Sequence, residues 1–214
     1  MDKLLDRFRH IAVEGPIGAG KTSLARRLAD RLGAELLLEQ PGENPFLSRF
    51  YEDMPRYALP TQLFFLFQRA RQLESLAQPD MFSRPVVSDF LIDKDPLFAS
   101  LTLSGDELAL YQKIYDAVRP RAPAPDLVVY LQAAPDTLFE RVRRRSSPWE
   151  RALAEEYLAL IAESYARFFY QYGAAPVLIV NSEKLNFVAR DADFELLVAR
   201  MRGMRSRREF FSLG

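Results

Sequence analysis

The chain has 214 residues, 49% of them hydrophobic and 27% charged, which is room for one domain with a substantial core. Lys plus Arg equals Asp plus Glu at 29 each, so bulk charge gives no case for nucleic acid or an anionic membrane as partner. The absence of cysteine excludes disulfides, thiolate metal sites and cysteine nucleophiles, and no apolar run suits a signal peptide or a membrane span, so a cytoplasmic protein is expected.

Ile11-Ala12-Val13 reads as a first strand, and Gly15-Pro-Ile-Gly-Ala-Gly-Lys-Thr-Ser23 follows it directly. That nonapeptide is the phosphate-binding G-x-x-x-x-G-K-[ST] loop in its strand-to-helix setting. Gly15, Gly18 and Gly20, with Ala19 between the last two, let successive backbone N–H groups turn inward around an anion. The helix expected from Lys21 aims its positive dipole end at the same point. Lys21 is placed to reach the β- and γ-phosphates, Ser23 to line the loop and Thr22 to ligate Mg²⁺, so the loop implies ATP or a similar triphosphate.

Leu24, Leu28 and Leu32 recur every fourth residue before Gly33, which predicts an amphipathic helix with a glycine stop. Ala34 to Glu39 reads as a buried second strand, and a Pro-, Gly- and Asn-rich loop through Pro45 follows. A long helix is expected over Thr61–Leu76, then a third strand, Pro85–Asp89, ending in a carboxylate. Ser104 and Glu107 form a capping-box pattern for a helix to about Val118. Arg119–Pro125 reads as a rigid connector, Asp126–Gln132 as a fourth strand, and Pro135–Arg145 and about Ala152–Tyr170 as helices. Val177–Asn181 makes a fifth strand and Asp191–Met204 a last helix, and the tail from Arg205 to Gly214 reads as loosely ordered. Unbroken apolar strands alternating with helices predict an α/β P-loop kinase fold, a five-stranded parallel sheet covered on both faces. Ligands gather at the carboxyl ends of such strands, where Gly15, Glu39 and Asp89 fall.

A GTPase would carry Asn-Lys-x-Asp after a late strand, whereas the fifth strand here runs into Asn181-Ser182-Glu183-Lys184. Small-molecule kinases fit the size, and Arg141, Arg143, Arg144 and Arg145 supply the mobile arginine lid over about residues 141–150 that phosphoryl transfer asks for.

At this point the sequence resembles the deoxynucleoside kinase family, with the bacterial deoxyadenosine and deoxyguanosine kinases nearest. The resemblance rests on the P-loop, on Glu39 within Glu-Gln-Pro-Gly-Glu-Asn-Pro-Phe-Leu47, and on Phe50-Tyr-Glu-Asp53. It continues through Pro60-Thr-Gln-Leu63 with Arg69, Ser88-Asp89, and the lid from Arg141 to Glu150. It implies that Glu39 accepts the proton of the sugar 5′-hydroxyl, a task that suits a carboxylate beside bound phosphates. It also implies that Tyr51 and Glu150 hold the 3′-hydroxyl, that Gln62 pairs with the base edge, and that Arg69 lies near the active carboxylate. Asp89 takes the place of an acidic Mg²⁺-shell and substrate-site residue, Arg141 and Arg145 act in transfer, and a homodimer is implied.

The chain departs from the family at two places. Many relatives have an acidic-Arg-Ser triplet where this sequence has Ser88-Asp89-Phe90, so the arginine is missing and Lys94 is a candidate substitute. Relatives read Arg-Gly-Arg in the lid where this sequence has Arg145-Ser-Ser-Pro148, leaving Arg144 to supply the lost charge to ATP. The expected activity is phosphoryl transfer from ATP to the 5′-hydroxyl of a deoxynucleoside, a purine by resemblance. Two alternatives stand beside it: a thymidylate-type monophosphate kinase, for which Arg49 and Arg56 are the only nearby acceptor-phosphate groups, and a non-catalytic ATP-binding module.

Overall fold

The computed structural model describes residues 8–76, 84–119 and 124–213. Part of the expected Arg119–Pro125 connector therefore lies outside the described residues. Strands β1 (His10–Glu14), β2 (Glu35–Leu37), β3 (Val86–Ser88), β4 (Leu127–Gln132), β5 (Val177–Asn181) and β6 (Arg208–Phe211) form one sheet in the order β2-β3-β1-β4-β5-β6. Every pairing is parallel, so helices must carry the chain back across the sheet between strands. The helices are α1 (Lys21–Leu32), α2 (Leu47–Glu52), α3 (Met54–Leu76), α4 (Asp95–Thr102), α5 (Gly105–Val118), α6 (Pro135–Arg145), α7 (Glu155–Gln171) and α8 (Asp191–Gly203).

The α/β expectation holds, with a correction to the strand count: the sheet has six strands, not five. The sixth comes from the tail expected to be loose. Arg208–Phe211 pairs with Val177–Val180 of β5, and Arg207 and Arg208 donate to the carbonyls of Gly173 and Tyr172 at 2.7 Å. Arg200 pairs with Glu209 at 2.9 Å, so these tail arginines fasten β6 rather than form a free basic patch.

One apolar core runs through the sheet and both helix layers. The spacing in α1 buries Leu24, Ala25, Leu28, Ala29 and Leu32 on one face, and Gly33 closes the helix in the left-handed conformation at φ +62°. Burying the apolar strands on both faces is what makes β4 and β5 legible as continuous runs.

Boundaries differ where local signals mislead. Helix α3 starts seven residues before Thr61 and carries Pro60 inside it, because packing tolerates one missing N–H. Strand β2 stops at Leu37, leaving Glu39 on the loop two residues beyond it. Ser104 stands at the N-cap of α5 in extended backbone, but its side chain makes no capping bond. Helices α2 and α4 have no counterpart among the expected elements.

Candidate active site

The P-loop leaves β1 with backbone that only glycine adopts freely. Gly18 and Gly20 sit at φ +86° and +96°. A Cβ on Gly18 would stand 2.6 Å from the Leu138 carbonyl oxygen, so close packing against α6 demands glycine there as much as the torsion does. No side chain caps the start of α1, which leaves its first N–H groups free for an anion. Lys21 Nζ donates to the carbonyls of Gly15 and Pro16 at 2.8 and 3.1 Å, folded against the loop it would extend from toward phosphate. Burial lowers the Lys21 pKa, as does the neighbouring Lys94 charge, partly offset by Glu14, Glu39 and Asp89.

A cleft of about 1060 Å³, counting its open mouth, lies at the carboxyl ends of β1, β2 and β3. It brings together Gly18, Gly20, Lys21, Thr22, Ser23, Glu39, Tyr51, Gln62, Arg69, Asp89, Arg145 and Glu150 of the expected set. Gly15 and Ala19 shape the loop without lining the cleft, and Arg141 and Arg144 face a second cleft beside Gly20, Lys184 and Arg190.

Asp89 follows β3 and Thr22 opens α1, and the Thr22 hydroxyl donates to Asp89 Oδ2 at 2.5 Å. Asp89 Oδ1 accepts the Glu39 backbone N–H at 2.7 Å, which ties the β2 loop to the same point. Burial and the Glu39 charge raise the Asp89 pKa. This pair of hard oxygens beside the phosphate loop suits Mg²⁺, an ion that keeps several waters and phosphate oxygens in its shell. Among the described residues no group of three or more His, Asp or Glu side chains forms a metal cage.

Glu39 Oε1 meets two cations, Arg69 Nη1 and Lys94 Nζ, the latter at 2.9 Å. Burial alone would raise the Glu39 carboxyl, but Lys94, Arg69 and Lys21 outweigh it and hold it down at about 2. Arg69 also pairs with Asp95 at 2.6 Å, and Lys94 with Glu14 at 3.1 Å. Asp95 is wholly buried, and burial pushes its carboxyl up to about 6 despite the facing Arg69 and Lys94. Glu14 accepts the N–H groups of Gly15 and Leu91 at 3.0 and 2.7 Å and the Tyr165 hydroxyl at 3.1 Å.

Farther into the cleft, the buried Gln62 amide donates to Thr102 Oγ1 at 3.3 Å, and the buried Thr61 hydroxyl has no hydrogen-bond partner among the described residues. Tyr51 meets Phe50 at a tilt and Tyr157 edge-on near Glu150, and burial pushes its phenol well above the ordinary range. At the mouth, Arg145 forms a two-point ion pair with Glu150, its Nε donating to Oε2 at 3.2 Å. Arg141 donates to the Ser182 carbonyl at 2.8 Å, facing the end of β5.

Sequence reasoning did not single out Glu14, Asp95, Phe65, Phe98 or Tyr157, all of which belong to the cleft or its charged floor. Phe65 was within reach, since it lies three residues after Gln62 and four before Arg69 on one helix face. Glu14 and Asp95 depend on a tertiary meeting of β1, α3 and α4 that no local pattern announces.

A phosphate loop at a parallel-sheet switch, a Thr–Asp oxygen pair and a carboxylate lining the same cleft are the parts of a P-loop phosphotransferase. The family model for deoxynucleoside kinase matches residues 11–204. A deoxyguanosine kinase of Bacillus subtilis (strain 168) is 35% identical over 199 residues, covering 90% of this chain and 95% of its own. A deoxyadenosine kinase of Lactobacillus acidophilus is 30% identical over 192 residues, covering 83% and 87%. A solved deoxyadenosine kinase from M. mycoides, holding dCMP as product and a flexible dCDP, superposes with a TM-score of 0.79 at 25% identity, covering 91% of this chain and all of its own. The chain belongs to the deoxynucleoside kinase family, whose members are ATP-dependent phosphotransferases.

Proposed function

We propose that this kinase moves the γ-phosphoryl group of ATP to the 5′-hydroxyl of a purine deoxynucleoside, with Glu39 as proton acceptor. The observation that carries the assignment is the state of Glu39. Its carboxyl is held low by Lys94, Arg69 and Lys21, it lines the cleft beside the phosphate loop, and its Oε1 is occupied by Arg69 and Lys94. Its Oε2 accepts no hydrogen bond from the described residues and is left to the incoming hydroxyl. The 5′-oxygen attacks the γ-phosphorus, its proton passes to Glu39 Oε2, the bond from γ-phosphorus to the β-phosphate oxygen breaks, and ADP leaves. A carboxylate this acidic takes the proton late, which accords with a loose transition state in which positioning matters more than basicity.

The remaining groups divide between the two substrates. Backbone N–H groups of Gly18 and of Gly20 to Ser23, together with the Lys21 ammonium, cradle the triphosphate, and the donor nucleoside lies along the second cleft beside Arg141 and Arg144. Thr22 and Asp89 would hold Mg²⁺, which neutralises charge on the phosphates when bound. Tyr51 and Glu150 face the 3′-hydroxyl, and Gln62, Arg69 and the unpaired Thr61 hydroxyl offer polar partners to the base.

A nucleoside fits better than a nucleotide as acceptor. Arg49 and Arg56 do not line the cleft, and Arg49 instead lies over the Tyr57 ring at 4.9 Å and donates to Pro45. The names of the Bacillus and Lactobacillus relatives support a purine. We place the enzyme in the cytoplasm as a homodimer, a state that sedimentation tests. Among the described residues no helix is long and apolar enough to cross a membrane.

The test of substrate is an ATP-coupled assay across the four deoxynucleosides, their ribonucleosides and thymidylate. Deoxyguanosine or deoxyadenosine should give the highest kcat/KM, and preference for thymidylate would overturn the reading. For the lid, Arg145→Ala should lower kcat about 10- to 100-fold with a smaller rise in KM, because its charge matters most as phosphoryl charge builds. Equal kcat in a steady-state assay would remove Arg145 from the reaction.

A further inference from the structure

We infer that Lys94 is the positioning residue for the reaction, a buried ammonium that clamps Glu39 to Glu14 and so fixes the proton acceptor against the phosphate loop. The inference rests on the assignment of Glu39 above. Three observations carry it. First, Phe90, directly after Asp89, is a core side chain only 2% exposed and brings no charge to the site. Second, Lys94 enters from the turn Ile92–Lys94 just before α4, itself 2% exposed, and its Nζ stands 3.1 Å from Glu14 Oε1 and 2.9 Å from Glu39 Oε1. Third, Glu14 is anchored independently by the Gly15 and Leu91 N–H groups and by Tyr165, so the bridge ends on a fixed point at the last residue of β1, directly before the phosphate loop.

An ammonium buried this deeply is costly unless paired, and both of its partners are functional in location. Arg69 shares Glu39 Oε1 but approaches from α3 and is itself held by Asp95, so it constrains the carboxylate from the base side of the cleft. Lys94 links the Glu39 carboxylate to Glu14, whereas Asp89 holds only the Glu39 backbone N–H. Two cations on one oxygen fix the rotation of the carboxylate and present Oε2 to the acceptor. A distance error of about 1 Å in such an arrangement costs about 100-fold in rate. Lys94 meets Glu39 at Oε1 and not at the proton-accepting oxygen, so it acts through the placement and charge of Glu39 rather than on the acceptor itself.

The test combines a kinetic split with a double-mutant cycle. Lys94→Met should lower kcat by about 100-fold while KM for the deoxynucleoside and for ATP change less than about threefold. In the Glu39→Gln background the same change should cost almost nothing, because the group it positions is gone. A purely structural lysine would give the same loss in both backgrounds. Should Lys94→Met fail to fold because Glu14 is left buried and unpaired, Glu14→Gln with Lys94→Met removes both charges together and must still be slow relative to Glu14→Gln alone. Full rate in the folded Lys94 variant, with Glu39→Gln slow, overturns this inference and leaves the assignment of Glu39 standing. Full rate in Glu39→Gln itself would instead overturn that assignment.

Discussion

Glu39→Gln is expected to lower kcat by about 100- to 10,000-fold, the range for removing a positioned general base, with the fold intact. Glutamine keeps the shape and can still meet Arg69 and Lys94 through its carbonyl, but it cannot take the proton. Because Lys94, Arg69 and Lys21 hold the parent carboxyl near 2, Glu39 stays ionised across the working range. No loss of rate from its protonation should therefore occur between pH 5 and pH 8, counting from a pKa of about 2. The sign follows from the depressed pKa: the ionised form is present above it and lost only as pH falls toward it. Steady-state kinetics across that range check both points, and a Glu39→Gln enzyme as fast as the parent would end the proposed mechanism.

Arg69→Met should produce the largest loss of stability, about 3–5 kcal/mol, the usual cost of leaving a buried charge unpaired. Arg69 is 3% exposed and spans Glu39 and the fully buried Asp95. Lys94 remains for Glu39, so the penalty falls mainly on Asp95, whose carboxyl burial already pushes up to about 6. Without Arg69 it should rise further. A carboxyl whose folded pKa is raised binds its proton more readily when folded, so stability is retained at acidic pH and lost as pH rises through that value. Urea denaturation at pH 5 and pH 8 should show the smaller deficit at the acidic end, and Asp95→Asn in the same chain should recover part of it. A deficit independent of pH would show that lost packing, not stranded charge, is responsible.

What the sequence disclosed depended on how locally each feature is encoded. The phosphate loop is contiguous, and its glycines, lysine and threonine answer to one ligand, so nine residues suffice. Strands β4 and β5 are legible because burial on both faces requires unbroken apolar runs. Helix α2 escaped because its six residues show only Leu47 and Phe50 as buried positions, too short a stretch for a period. Strand β6 reads Arg-Glu-Phe-Phe, half charged, which is how an edge strand looks before its neighbour is known.

The site divides in the same way. Residues 39, 51, 62, 69, 89, 145 and 150 were reachable through the order and spacing of family motifs, and all of them line the cleft. Glu14 and Asp95 were not, since a buried carboxylate earns its meaning from what faces it. Arg141 marks another boundary: its place in the lid was legible, but its direction toward Ser182 was decided by the end of β5.

The sixth strand has a bearing on how this molecule keeps to itself. β5 is an apolar ribbon, Val-Leu-Ile-Val, and as an outermost strand it would present open peptide groups and greasy side chains to any passing chain. Residues 208–211 cover that border, held there by the bond from Arg208 to the Tyr172 carbonyl and by the Arg200–Glu209 pair. Strand β6 thus acts as a selvedge, keeping the apolar border of β5 from neighbouring chains.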